Sequence, residues 1–320
     1  MNEKHNLATG FIIAALAIFS LMLAACSKRA VVAKEGFIQV SGGRVWYRIV
    51  GDKHTTPLLV LHGGPGFPSY YLKPLAQLAN DRPVVFYDQL GAGHSDRSTD
   101  TTLWQVSRFV KELQVVRDTL GLKEVFIFGH SWGASLAVDY MLTNPKGVKG
   151  IILASPVLNA AMWQHDADSL LATLPDSVVS GLKKHELEGS TNSIEYHQLM
   201  IEYYKRYVTR LDPLPADLDS SIMQTGTEVY LTMWGPGEFR VTGSLRNYDR
   251  ISELSNIKVP VLFTAGRYDQ AVPSTVRSFQ RLIPGSRLEI FNSSSHMAMQ
   301  EETDQYIRTI RGFLRKTDRK

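Results

Sequence analysis

Short apolar runs, set off by turn-forming residues, recur along most of the chain. Leu58–Leu61, Val84–Tyr87, Val125–Phe128, Ile151–Ala154, Val259–Ala265 and Leu288–Phe291 carry little polar alternation. Near-continuous apolar strands fit a parallel sheet covered on both faces. Ahead of them, Phe37–Val40 and Val45–Val50 flank Gly42-Gly43, which predicts a β-hairpin. Between the runs the apolar period lengthens. Phe109, Leu113, Val116 and Leu120 fall on one face of a helix, and Ser131–Asn144 and Thr303–Leu314 predict two more helices. Strand and helix in alternation predict an α/β sheet with right-handed crossovers.

The alternation stops between about Pro156 and Arg250. This stretch lacks clear strands, and Tyr196, Met200, Tyr203, Tyr204 and Tyr207 fall at helical spacing. Such a stripe reads first as the core face of a helix and second as pocket lining. We expect a helical cap over 157–245, inserted between two strands, with the sheet domain formed by 36–156 and 246–320.

Composition narrows the class. The 320 residues are 44% hydrophobic and 21% charged, as in globular domains. Lys and Arg outnumber Asp and Glu by 35 to 31, a net +4. The excess is scattered, so nucleic acid is not an expected partner. One cysteine excludes an intramolecular disulfide framework and a Cys-rich zinc site. No His-Glu-x-x-His spacing occurs, and neither a metal nor an organic cofactor is expected.

That cysteine, Cys26, follows the one long apolar run, Phe11–Ala25. The run is shorter than the roughly 20 residues a spanning helix needs, and it suits the apolar core of a signal peptide. Leu23-Ala24-Ala25-Cys26-Ser27 resembles the lipobox of bacterial lipoproteins. The resemblance implies that 1–25 is a removable signal peptide and that Cys26 carries lipid. The mature chain would then sit in the cell envelope, held to a membrane by its N-terminal lipid. In a Gram-negative host this means the outer membrane or the periplasmic face. A plain secretory signal and an uncleaved anchor are the alternatives.

The chemistry centres on Val125-Phe126-Ile127-Phe128-Gly129-His130-Ser131-Trp132-Gly133. A strand running into Gly-x-Ser-x-Gly and then a helix is the nucleophile-elbow pattern. A serine hydroxyl needs a base to become a nucleophile. In this pattern the acid and then the base follow the serine in the chain. His296 alone among nine histidines lies downstream of Ser131 and outside the cap. Asp269 follows the run Val259–Ala265, and both residues fall at C-terminal strand ends, where open α/β sheets bind ligands. The plainer readings are a turn aspartate and a loop histidine. Glu301 and Glu302 are rival acids, but they begin the last helix and suit its dipole. The loop His62-Gly63-Gly64-Pro65-Gly66 and the residue after the serine offer backbone donors for an oxyanion, assigned to Gly64 and Trp132. His62 and His130 read as structural.

Together these residues resemble the proline iminopeptidase (prolyl aminopeptidase) family of α/β-hydrolases, with the closest likeness to the tricorn-interacting aminopeptidase subgroup. The matching pieces are His62-Gly63-Gly64-Pro65-Gly66, Phe86-Tyr87-Asp88-Gln89-Leu90-Gly91-Ala92-Gly93-His94-Ser95 and Gly129-His130-Ser131-Trp132-Gly133. Trp234-Gly235-Pro236-Gly237-Glu238-Phe239, Gly266-Arg267-Tyr268-Asp269 and Ser295-His296 complete them. The resemblance implies a mostly parallel eight-stranded sheet flanked by helices, with an inserted helical cap. It implies a serine aminopeptidase acting on short peptides or aminoacyl substrates through an acyl-enzyme, with Ser131, Asp269 and His296 as the catalytic set. Carboxylates of that family hold the substrate's α-ammonium, and Glu238 matches the one in the cap. The second follows the catalytic aspartate directly, and here that position is Gln270. Glu228 reads first as an exposed helical glutamate and second as a replacement. An esterase, amidase or lactonase acting on uncharged acyl groups is the alternative, and a non-catalytic binding protein that keeps the hydrolase shell is a third.

Overall fold

The computed structural model describes residues 33–319. Its sheet has eight strands in the order β1-β2-β4-β3-β5-β6-β7-β8. They are β1 Ala33–Val40, β2 Gly43–Val50, β3 Leu58–Leu61, β4 Val84–Tyr87, β5 Val125–His130, β6 Val148–Ala154, β7 Val261–Gly266 and β8 Arg287–Phe291. β1 and β2 pair antiparallel, as do β2 and β4, and the remaining pairs are parallel. The predicted runs all become strands; β3 and β4 keep the predicted ends, and the others shift at one or both ends. β7 starts two residues later than the apolar run because Pro260 has no N–H to give a ladder; its carbonyl still accepts from Ile151 N at 3.0 Å. β1 starts four residues earlier than expected. Lys34 and Glu35 lie on an exposed sheet edge, where pairing needs no apolar side chain.

The central strands are buried on both sides, and alternate residues supply two cores. Leu59, Leu61, Val125 and Ile127 face one way. They pack with Phe109, Leu113 and Val116 of α1 (Val106–Thr119) and with α2 (Trp132–Leu142). Leu58, Val60, Phe126 and Phe128 face the other way, onto the 3₁₀ segment Ser69–Asn80 and the last helix. This period of two follows from the pleat of the strand.

Five α-helices lie between β6 and β7: α3 Ala160–Leu171, α4 Asp176–Glu188, α5 Ile194–Tyr207, α6 Ala216–Met223 and α7 Thr227–Met233. They have a small core of their own, in which Leu171, Leu182, Tyr196, Met200, Tyr203 and Phe239 meet. Tyr196, Met200 and Tyr203 are thus core residues, whereas Tyr204 keeps 36% of its surface exposed. The two ends of the insertion meet at an Asn159–Asp249 bridge. The chain finishes with α8 Pro273–Arg281, the short α9 Ala298–Glu301 and α10 Thr303–Asp318.

Connections leave β3 and β5 in opposite directions along the sheet. Their C-terminal ends therefore form a switch point, the crevice where open α/β sheets take ligands.

Candidate active site

β5 ends in the elbow. Ser131 has φ 54° and ψ −119°, a left-handed backbone that a side chain rarely adopts. Such strain costs about 1–3 kcal/mol and persists only where the surroundings enforce it. The enforcement is steric. A Cβ on Gly129 would lie 2.2 Å from the Gly133 carbonyl oxygen, and one on Gly133 would lie 2.3 Å from that of Leu61. Only glycines let strand, turn and helix approach this closely. Ser131 keeps 8% of its surface exposed, at the N-terminus of α2.

His296 Nδ1 lies 2.7 Å from Asp269 Oδ1. The carboxylate is fully buried and accepts three further bonds: Ala271 N at 2.8 Å, Ser155 Oγ at 2.6 Å and Gly266 N at 3.1 Å. Asp269 Oδ1 takes the Nδ1 hydrogen of His296, which leaves Nε2 as an acceptor. The His296 ring lies 4.6 Å from that of His130, the residue before Ser131. Among the described residues Ser131 Oγ has no hydrogen-bond partner, and such contacts tighten when substrate binds.

The loop carrying His296 is braced from three sides. Ser295 N and Oγ donate to Glu301, and Ser293 N and Ser294 Oγ donate to Glu302. The two glutamates, expected as dipole partners of the last helix, instead turn back to hold this loop. The Tyr207 carbonyl at the end of α5 accepts from both Gln270 N at 3.1 Å and His296 N at 3.2 Å. Gly266 completes the fit, because a Cβ there would stand 2.2 Å from the Ser295 carbonyl oxygen.

The loop after β3 is pinned through Gln89. His62 Nε2 accepts from Gln89 N at 2.8 Å, and Gln89 Nε2 donates to the His62 carbonyl at 3.0 Å. Gln89 Oε1 in turn accepts the Trp132 indole N–H at 2.9 Å. Burial holds the His62 pKa below the ordinary histidine value. The backbone N–H groups of Gly64 and Trp132 have no acceptor among the described residues. Two such free donors beside a serine can receive a developing oxyanion.

Glu238 lies near His296. Its carboxylate accepts the Tyr230 hydroxyl at 2.8 Å. Burial raises its pKa, and nearby Tyr230, His296, Gln270 and Tyr204 oppose part of that rise. Gln270 is 6% exposed, and its buried Oε1 has no partner among the described residues. The structure therefore brings Glu238 and Gln270 together beside His296. Glu228 is exposed near the start of α7 and is no substitute. Cys26 lies outside the described residues. Ser155, Tyr71, Tyr230 and Trp163, whose ring lies 6.1 Å from that of His296, belong to the site but did not emerge from sequence reasoning. Ser155 alone left a signal there, since it follows β6 at its C-terminal end.

Residues 56–303 match the family described by the alpha/beta hydrolase fold. A proline iminopeptidase of Heyndrickxia coagulans is 44% identical to the chain, over 88% of this chain and 98% of its own length. Among solved structures, VinJ superposes with a TM-score of 0.86 at 34% identity, covering 89% of this chain and 99% of VinJ. The proline iminopeptidase of Mycobacterium smegmatis gives 0.83 at 32%, over 89% and 99%.

Proposed function

The chain belongs to the proline iminopeptidase family of α/β-hydrolases, and from this we infer that it is a serine aminopeptidase. It releases the N-terminal residue, proline or another mainly apolar one, from short peptides. Ser131 Oγ gives its proton to His296 Nε2 and attacks the carbonyl carbon of the first residue. The Gly64 and Trp132 N–H groups receive the oxyanion, and Asp269 steadies the imidazolium. His296 then protonates the leaving amine, the C–N bond breaks, and the acyl group stays on Ser131. Water, deprotonated by His296, releases the residue and restores the serine.

The observation that carries the exopeptidase reading is the Glu238 carboxylate, partly buried beside His296 and held by the Tyr230 hydroxyl. A fixed carboxylate offsets the desolvation of one α-ammonium and admits a chain only by its end. Gln270 supplies a neutral acceptor where a second charge is expected. It favours a second reading in which uncharged acyl esters, amides or lactones are also cleaved. The test compares an L-prolyl arylamide with its N-acetyl form. The reading requires that acetylation nearly abolish turnover; equal rates would refute it.

The likeness to the tricorn-interacting subgroup rests on Trp234-Gly235-Pro236-Gly237-Glu238-Phe239 and Gly266-Arg267-Tyr268-Asp269. Residues 157–245 serve as the cap that limits access to short peptides. Cys26 is the lipid attachment point, and the enzyme works in the cell envelope, anchored to a membrane by that lipid. Mass spectrometry of the mature N-terminus tests this, and Cys26→Ser should release the protein from the membrane fraction. An unmodified Cys26 would sink the anchor.

A further inference from the structure

A chain of hydrogen bonds beneath the nucleophile touches all three loops of the site. The Gly63 N–H donates to the Tyr71 hydroxyl at 2.9 Å. That oxygen lies 2.8 Å from His130 Nδ1, and His130 Nε2 lies 3.0 Å from the His296 carbonyl oxygen. Tyr71, His130 and His296 are all buried.

Donor counting gives the chain its direction. A phenol carries one hydrogen. The His296 carbonyl oxygen can only accept, so the one hydrogen of neutral His130 sits on Nε2 and is donated there. Nδ1 is then an acceptor and takes the phenol hydrogen of Tyr71. Burial and the neighbouring His296 both hold the His130 pKa well below the ordinary value. His130 therefore stays neutral while His296 takes up a proton. Tyr71 is itself held by its backbone: its N–H donates to Ser221 Oγ of α6 at 3.0 Å, and its carbonyl accepts from Gln300 of α9.

The loops after β3, β5 and β8 are separate connections, yet an oxyanion donor, a nucleophile and a base must be aligned at once. A misplacement of about 1 Å can cost on the order of 100-fold. We propose that Tyr71 and His130 are positioning residues that set the spacing of the oxyanion loop, the serine elbow and the base loop. The proposal rests on Ser131 being the nucleophile, as read above. Neither side chain hydrogen-bonds to the Ser131 hydroxyl or to a ring nitrogen of His296; their hydrogen bonds go to the peptide groups of Gly63 and His296.

The test uses Tyr71→Phe, His130→Asn, His130→Gln and the double variant Tyr71→Phe/His130→Gln. Two rates are measured: kcat per titratable serine on L-prolyl arylamide, and phosphonylation of Ser131 by an uncharged fluorophosphonate. Tyr71→Phe should lower kcat roughly 10- to 100-fold, with KM held within about twofold and phosphonylation slowed in the same proportion. Asn at 130 keeps an acceptor for Tyr71 and loses the donor to His296, and Gln does the reverse, so both should be slower than wild type. Adding Tyr71→Phe to His130→Gln should cost less than it does in the wild type, because the two share a link. A merely structural role would lower the melting temperature and the titratable fraction but leave kcat per serine unchanged. That result, or costs that multiply fully in the double variant, overturns the proposal. Should Tyr71→Phe not fold, His130→Asn decides by the same two rates. Phosphonylation needs no amine, so the proposal is decided even if the wild type leaves prolyl arylamides uncut.

Discussion

Glu238→Gln keeps the shape of a partly buried side chain and removes its charge. In the wild type the carboxylate accepts the Tyr230 hydroxyl at 2.8 Å and has Gln270 and Tyr204 beside it. An ammonium ion seated there gains a charge-assisted bond worth about 1.5–3 kcal/mol. Its loss should lower kcat/KM for L-prolyl arylamide roughly 10- to 150-fold. The ammonium is held in ground and transition states alike, so the loss should fall on KM rather than kcat. An uncharged acyl ester uses the same serine and histidine but has no ammonium, and its kcat/KM should stay within about twofold. Dividing the two substrates' kcat/KM cancels what they share and isolates Glu238. Burial raises the Glu238 pKa, so on acidification its charge is lost at a higher pH than for an ordinary carboxylate. The ratio should fall with that titration in the wild type and stay flat in Glu238→Gln. Stability should move oppositely. A carboxyl whose folded pKa is raised contributes stability below its unfolded pKa, and that contribution is lost as pH rises through the folded value. Near neutral pH the variant should therefore melt above the wild type, and the gap should close in acid. A prolyl KM within about twofold of wild type, with the acid fall of the ratio intact, would refute the amine-anchor assignment.

Gln270→Glu puts a second carboxylate at the site and should raise kcat/KM for free-amine arylamides about tenfold, while the N-acetyl form should not gain; steady-state kinetics on the pair checks it. Ser155→Ala removes the 2.6 Å donor to Asp269 Oδ2 and should lower kcat about five- to tenfold for ester and arylamide alike, at constant KM. A loss confined to one substrate would count against a role through Asp269. Gly133→Ala forces a Cβ to 2.3 Å from the Leu61 carbonyl oxygen and should lower the melting temperature or prevent folding, since overpacking costs about 1–3 kcal/mol or more. An unchanged melting curve would contradict the steric account of the elbow.

Much of this molecule was legible along the chain. Leu58–Leu61, Val84–Tyr87 and Val125–Phe128 announce buried strands because a strand covered on both faces has no use for polar alternation. Gly129 to Gly133 announces the elbow because the tight turn excludes side chains at both flanking positions. Asp269 and His296 could be selected by order and by their place after strands. Strand ends were less legible. Pro260 delays β7 by a chemical rule, whereas the start of β1 depends on an edge that only the assembled sheet defines. Glu301 and Glu302 look like helix-dipole residues in sequence, and their bonds to Ser293, Ser294 and Ser295 arise only when the chain folds back.

By itself, then, the sequence determined what local sterics and hydrophobic period dictate: the strands, the helices between them, the elbow and the order of the reactive residues. The tertiary structure alone decided what depends on distance between remote segments. Ser155 meets Asp269 across 114 residues, and His130 meets the His296 carbonyl across 166. Tyr230 reaches Glu238 only because the loop after α7 turns back on that helix. No spacing rule encodes these contacts. A buried donor takes whichever acceptor the packing brings within about 3 Å, and leaving it unpaired costs more than the bond gains.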